Sequence, residues 1–270
     1  MALLVIATAP TAMARQTTKT TKTAKSAKSA KGTKTKKSTK RSQASHSSKK
    51  SKGSKKSRTS KKKNVPEKPI LGVDVSRFNG EVDFEQVVAQ GYSFVFIKAS
   101  EGVGERDAMF KAHHSRAAKA GMKVGAYHYF RKNREGRDQA DNFLAAVAGL
   151  NLDLPLVIDL EDWGNDNNVK NEVVIKRVRE MVEELRKRKR QVMIYTNGDG
   201  FKNYYAKNFE DVPLWLCSFK GAEEIAHCGH VMVQLSHNGQ LDGTRHPIDL
   251  NRFCGTQRQW RRFLSTGKIK

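Results

Sequence analysis

Residues 154–163 read Leu-Pro-Leu-Val-Ile-Asp-Leu-Glu-Asp-Trp, an apolar run that ends in three carboxylates and an indole. In a β-strand, residues i and i+2 point to the same face, so Asp159 and Glu161 project side by side while Leu160 points away. Two carboxylates held together raise the pKa of at least one, and partial burial raises it further. A group of that kind donates protons near neutral pH. The same acids would also serve a strand end that caps a following helix, since Asp is a favoured N-cap. The choice between these readings depends on what surrounds the stretch.

After Pro66 the sequence alternates short apolar runs with amphipathic stretches, the pattern of repeated β-α units. Eight strands are predicted, at 70–75, 93–99, 123–130, 154–160, 191–196, 213–218, 230–235 and 248–253. Helices are predicted at 83–90, 108–120, 136–148, 169–189 and 200–207. The longest places Val174, Val178, Met181, Val182 and Leu185 on one face, with Arg and Lys opposite. Connections between the later strands are short and weakly periodic, which suits an α/β barrel whose last helices are reduced.

In such a barrel the strand C-terminal ends share one rim, where the chemistry is kept. The first predicted strand carries Asp74, the third Tyr127 and Tyr129, the fourth Asp159 and Glu161, and the last Asp249. Four carboxylates are therefore expected at one mouth, with Trp163, Tyr195 and Trp215 nearby. Acids among flat aromatic faces suit a sugar: the acids address the glycosidic bond and the rings the C–H face.

Charge divides the chain of 270 residues sharply. Residues 15–63 hold 20 of its 51 Lys and Arg and none of its 27 Asp and Glu, so most of the formal charge of +24 belongs to this segment. Its Lys, Ser, Thr and Ala offer no large apolar side chain to offset the entropy of ordering, and residues 15–65 read as a disordered basic tail. A polycation of this kind binds polyanions, whether nucleic acid, anionic lipid or acidic wall polymer; a solubilising spacer is the plainer reading.

Ahead of the tail, the apolar run in Met1–Gln16 is too short to span a bilayer and ends in Ala12-Met13-Ala14. Residues 1–14 are read as a secretory signal, although no basic residue precedes the apolar run. The expected location is secreted or at the envelope, in the periplasm or wall, with no transmembrane segment. Residues 66–270 form the barrel domain, expected to act as a monomer without cofactor. Cys217, Cys228 and Cys254 make no disulfide framework and no CxxC pair. His227-Cys228-Gly229-His230 stands alone, so no metal site is assigned.

Six segments, taken in order, carry a resemblance: GVDVSRFNG (72–80), VGAYHYF (124–130), VIDLE (157–161), VMIYTN (192–197), PLWL (213–216) and IDLNRF (248–253). Together they resemble the glycoside hydrolase family 25 lysozymes over about residues 69–254. The resemblance implies an irregular, TIM-like (β/α)5(β)3 barrel. It implies cleavage of the β-1,4 bond between N-acetylmuramic acid and N-acetylglucosamine in peptidoglycan, by acid/base carboxylates with or without help from the substrate's 2-acetamido group. By motif, Glu161 matches the proton donor and Asp159 its partner. Asp74 and Asp249 match the other two active-site aspartates, and Tyr127 and Tyr129 fall in the glycan groove. Where the family often has Trp-Gln-Tyr, this chain has Val233-Gln234-Leu235, so Gln234 is retained and one sugar platform is lost.

Two alternatives carry different expectations. An endo-N-acetylglucosaminidase or chitinase would have the longer Asp-x-x-Asp-x-Asp-x-Glu run, but Pro155, Leu156, Val157 and Ile158 precede Asp159. A glycan-binding protein of the same fold without catalysis is opposed by the full set of acids.

Overall fold

A computed structural model describes residues 67–166, 168–220 and 225–269. The expectations for the signal and the basic tail lie outside these residues. The described chain forms nine strands: β1 (Ile70–Val75), β2 (Tyr92–Glu101), β3 (Glu105–Arg106), β4 (Lys123–Tyr129), β5 (Leu156–Asp159), β6 (Val192–Asn197), β7 (Leu214–Cys217), β8 (Met232–Gly239) and β9 (Ile248–Phe253). The sheet runs β1-β9-β8-β7-β6-β5-β4-β2, and a β1–β2 pairing closes it into an eight-stranded barrel. The two-residue β3 is the unexpected strand, a short antiparallel flap on the end of β2. It is too short to show any alternation.

Helices α1 (Phe84–Ala89), α2 (Phe110–Lys119), α3 (Gly136–Ala146) and α4 (Asn171–Lys187) follow β1, the β2–β3 pair, β4 and β5. After β6 comes the single turn α5 (Gly198–Gly200), which continues into a π-helical turn at Phe201–Tyr205. This is the expected arrangement of five β-α units and three further strands. All five apolar residues predicted on one face of α4 are fully buried. Helix α3 packs on α4 through Gly136, where an added Cβ would meet the Arg177 carbonyl oxygen at 1.8 Å.

Inside the barrel, ring size decides which strand positions are glycine. Phe94 and Phe96 project inward from β2, and a Cβ at Gly72 or Gly125 would lie 2.3 or 2.4 Å from those rings. The glycines on β1 and β4 therefore leave the space that the two phenyl rings fill. Trp215 stacks obliquely on Phe96 at 4.8 Å between centroids and completes this layer.

A sixth helix, α6 (Gln257–Thr266), was not expected from the sequence. It buries Trp260 and Phe263 against Phe94 and Phe253, at centroid distances of 5.0–5.4 Å. The burial of Phe263 alone contributes about 1.5–3 kcal/mol. The helix closes the end of the barrel opposite the mouth.

One expectation about the rim is corrected. Seven barrel strands run parallel, but β9 is antiparallel to both neighbours, β8 and β1. Its N-terminal end, not its C-terminal end, reaches the mouth. Asp249 is the second residue of β9 and sits directly across from Asp74 in the ladder. Antiparallel neighbours of this kind hold their side chains in contact.

Candidate active site

The mouth of the barrel opens into a cleft of about 460 Å³ lined by all four expected acids. Asp74 comes from β1, Asp159 is the last residue of β5, Glu161 lies two residues on, and Asp249 is the second residue of β9. The i, i+2 reading holds: Asp159 and Glu161 both line the cleft, while Leu160 is fully buried on the other side.

Asp74 is the most tightly held of the four. Its Oδ2 accepts from Gln234 Nε2 at 2.9 Å and from Asn251 Nδ2 at 2.8 Å. Gln234 in turn accepts from the Tyr195 hydroxyl at 2.9 Å. The Val233-Gln234-Leu235 variation thus keeps its central polar contact. Asn251 also accepts from Trp215 Nε1 at 3.0 Å, and Trp215, only 2% exposed, forms part of the cleft floor.

Tyr129 donates its hydroxyl to the Trp163 carbonyl, and the Arg131 guanidinium donates to the Gly164 carbonyl. These bonds hold the segment after Glu161 against the end of β4. Trp163 itself is 79% exposed at the rim, and Tyr127 lines the interior.

Several cleft residues went unnoticed in the sequence. Lys98 points into the mouth, pairs with Glu101 at 2.6 Å and lies over the Tyr129 ring at 4.8 Å. Its signal was available: Phe94, Phe96 and Lys98 follow the period of two that faces the barrel axis. Glu101 also accepts from Arg131 Nε at 2.8 Å. Phe78, 71% exposed with the Arg77 guanidinium 4.7 Å from its centroid, stands on the rim beyond Asp74. A three-residue 3-10 turn carries it, which no periodicity could reveal.

Burial is the leading cause of every shift among the four acids. It raises Glu161 to about 7, with help from the negative charges of Asp74 and Asp162. It raises Asp249 to about 9, with Asp74 adding charge and a hydrogen bond and Glu161 adding further charge. Asp74 is raised because burial outweighs the donors Asn251 and Gln234. Asp159 is raised well above the ordinary carboxylate range by burial and then by Glu161. Its Oδ1 is buried without a hydrogen-bond partner among the described residues. These surroundings oppose ionisation of Asp159. Repulsion between Asp159 and Glu161 is reciprocal, so the two titrate as one pair that retains a proton at neutral pH.

Raised carboxylates have a consequence for stability. The native state binds their protons more tightly than the unfolded chain, so their contribution is fully present below the ordinary pKa and is lost as pH rises through the raised one. The window runs from 4.5 to about 7 for Glu161 and from 3.8 to about 9 for Asp249. Thermal melts across this range should show wild-type stability falling with pH. Glu161→Gln should flatten part of that fall and gain about 1–3 kcal/mol above neutrality. Parallel pH curves for the two proteins would contradict the burial-driven shift.

Among the described residues, no three His, Cys, Asp or Glu side chains gather in a way that would hold a metal ion. Cys217, Cys228 and Cys254 are free thiols. No described helix is long and apolar enough to cross a membrane.

A closed barrel with four acids at its mouth is the architecture of a carboxylate-dependent glycoside hydrolase, and comparison with known proteins bears on that class. The family model described as Glycosyl hydrolases family 25 matches residues 73–244, and the chain belongs to that family. It is 30% identical over 182 residues to the Autolytic lysozyme of Clostridium acetobutylicum, which covers 67% of this chain and 55% of the relative. The chain thus spans little more than half of that relative's length. Lysozyme M1 of Streptomyces globisporus is 28% identical over 218 residues, covering 69% of this chain and 68% of the relative. Among solved structures, a family 25 glycosyl hydrolase from Bacillus anthracis superposes with a TM-score of 0.65 at 32% identity, covering 72% of this chain and 92% of that one.

Proposed function

We propose that this chain is a peptidoglycan hydrolase, an N-acetylmuramidase that cleaves the β-1,4 bond between N-acetylmuramic acid and N-acetylglucosamine. The observation that carries the reading is the meeting of Asp74, Asp159, Glu161 and Asp249 in one cleft, with Glu161 held near 7. An acid of that strength is protonated at mildly acidic to neutral pH and transfers its proton to a leaving oxygen. The names of the relatives, an autolytic lysozyme and Lysozyme M1, support peptidoglycan as the substrate.

In this reading Glu161 is the proton donor. Asp159 receives the 2-acetamido group: its unpartnered Oδ1 is a buried acceptor suited to an amide N–H. Asp74, to which the protonated Asp249 adds a hydrogen bond, stabilises the positive charge that develops on the sugar, from the β1–β9 side. Trp163 and Tyr127 supply contact surface for the glycan. Tyr129 and Tyr195 act through hydrogen bonds that hold the Trp163 segment and Gln234, and Trp215 supports the floor. Product analysis on purified peptidoglycan tests the linkage. Reducing-end N-acetylmuramic acid is expected, and reducing-end N-acetylglucosamine would overturn the assignment.

Residues 1–14 direct export in this reading, residues 15–65 hold the enzyme near an anionic wall polymer, and the barrel from residue 66 carries the chemistry. Acting at the wall or envelope follows from the substrate. Removing residues 15–63 deletes 20 basic residues and no acidic ones. The deletion should weaken binding to anionic walls about tenfold or more at low salt, where screening is least. Turnover of a short soluble glycan should be unchanged. Equal losses on both substrates in sedimentation and turnover assays would refute this division.

A further inference from the structure

The segment after β5 holds a charged cluster that the four acids do not account for. Asp162, next to Glu161, accepts on Oδ1 from Lys132 Nζ at 2.7 Å and from the Tyr204 hydroxyl at 2.6 Å. The Lys132 ammonium also lies 3.4 Å from the Tyr204 oxygen. The Lys132 side chain is only 1% exposed. Burying an ammonium costs several kcal/mol unless it is closely paired, so a chain has little reason to keep one where a neutral side chain would pack.

The backbone around the cluster is tied to the same place. Asn165 Nδ2 donates to the carbonyls of Glu161 at 3.0 Å and Phe130 at 2.9 Å, and Asn165 Oδ1 accepts from Lys132 N at 3.0 Å. Arg177 on α4 donates to the Lys132 carbonyl at 2.9 Å. The carbonyl of Glu161 itself is thus one of the anchor points. Asn165 already supplies the mechanical tie, and a neutral hydrogen-bonding pair in place of Lys132 and Asp162 would extend it.

We propose that Lys132, Asp162 and Tyr204 form a positioning device for Glu161: they fix the segment that carries it and neutralise the carboxylate beside it, so that the donor does not feel the full charge of Asp162. This rests on Glu161 being the proton donor. The Lys132 and Tyr204 contacts outweigh burial and hold Asp162 below the ordinary carboxylate range, so it is ionised while Glu161 is still protonated.

The other groups that face Glu161 are Asp74 on β1, Lys98 on β2, Tyr129 on β4, Asp159 on β5, Tyr195 on β6, Cys217 on β7 and Asp249 on β9. None of these is altered by substitution at 132, 162 or 204. A change in the titration of Glu161 in such variants therefore reports on the cluster.

The test is the alkaline limb of the kcat against pH profile on peptidoglycan. Lys132→Met leaves Asp162 unneutralised, so Glu161 holds its proton more tightly and the limb should move up by about half a pH unit or more. Asp162→Asn removes the negative neighbour and leaves the ammonium, so the limb should move down by a similar amount. Tyr204→Phe removes one donor from Asp162 and should give a smaller upward shift. The double variant Lys132→Met with Asp162→Asn should bring the limb back towards wild type, as coupled residues do in a double-mutant cycle.

Opposite shifts establish the electrostatic role. Lower kcat in each variant with an unmoved limb, or shifts of the same sign, would reduce the cluster to a structural tie and overturn the proposal. If Lys132→Met fails to fold, Asp162→Asn and Tyr204→Phe decide by the sign of their shifts. A fully active Glu161→Gln enzyme would instead overturn the donor assignment, a distinct result.

Discussion

Replacing Glu161 by Gln is expected to lower kcat by about 10²–10⁴-fold while glycan binding persists. Gln keeps the shape of the side chain and its place between Asp159 and the rim, but carries no transferable proton. The interaction lost exists only as the leaving oxygen gains its proton, so kcat falls and KM stays close to its original value. The contacts that shape the cleft do not pass through the Glu161 carboxyl: Asp74 is held by Gln234 and Asn251, and the Trp163 segment by Tyr129 and Arg131. Single-turnover assays and glycan binding on the same preparation check the split. Near-normal turnover would remove Glu161 from the donor role and return VIDLE to a strand that ends in structural acids.

Much of this site was legible because it rests on the strand period of two. Asp159 and Glu161 share a face for that reason alone, and the same rule explains Gly72 and Asp74 on β1. Direction was not legible in the same way. Nothing in IDLNRF tells a reader that β9 runs opposite to its neighbours, since periodicity is the same in either direction. Asp249 reaches the mouth because the 240–247 connection returns the chain at that end. Helix α6 was missed because only Trp260 and Phe263 are buried on it, too few for a convincing stripe. Its capping box, Thr256 with Gln259, was the available signal, and Gly267 marks its end.

The Lys132–Asp162–Tyr204 cluster joins residues 30 and 42 positions apart. Each of the three looks like an ordinary surface residue when read in one dimension, and Lys132 would be assigned to solvent by its type. Only the folded chain shows that the end of β4 and the π-helical turn after α5 converge on the segment behind Glu161. The paired acids are visible in the sequence, while the cluster proposed to adjust their protonation is contributed by elements that the motif does not contain.

Asp159→Asn is expected to lower kcat by about 10²-fold or more and to remove one limb of the pH profile. The carboxyl is buried, lacks a partner at Oδ1 and is repelled by Glu161, so it binds its proton well above the ordinary range. Its ionisation is therefore coupled to that of the proposed donor, and in that reading activity requires the state in which the pair's one proton sits on Glu161 while Asp159 is ionised. Such a requirement produces a bell-shaped profile with an acidic limb set by the pair. Asn is neutral at every pH, which abolishes that limb. It also removes the repulsion between the two acids, which adds to the burial that raises Glu161, so the Glu161 pKa falls and the alkaline limb moves to lower pH. The amide presents Nδ2 as well as Oδ1 to the 2-acetamido group and lacks the negative charge that would strengthen a bond to its N–H, which accounts for the loss in kcat. A full pH profile of the variant measures both effects. A bell that keeps both limbs in place would show that Asp159 does not share a proton with Glu161, and its burial would then be structural.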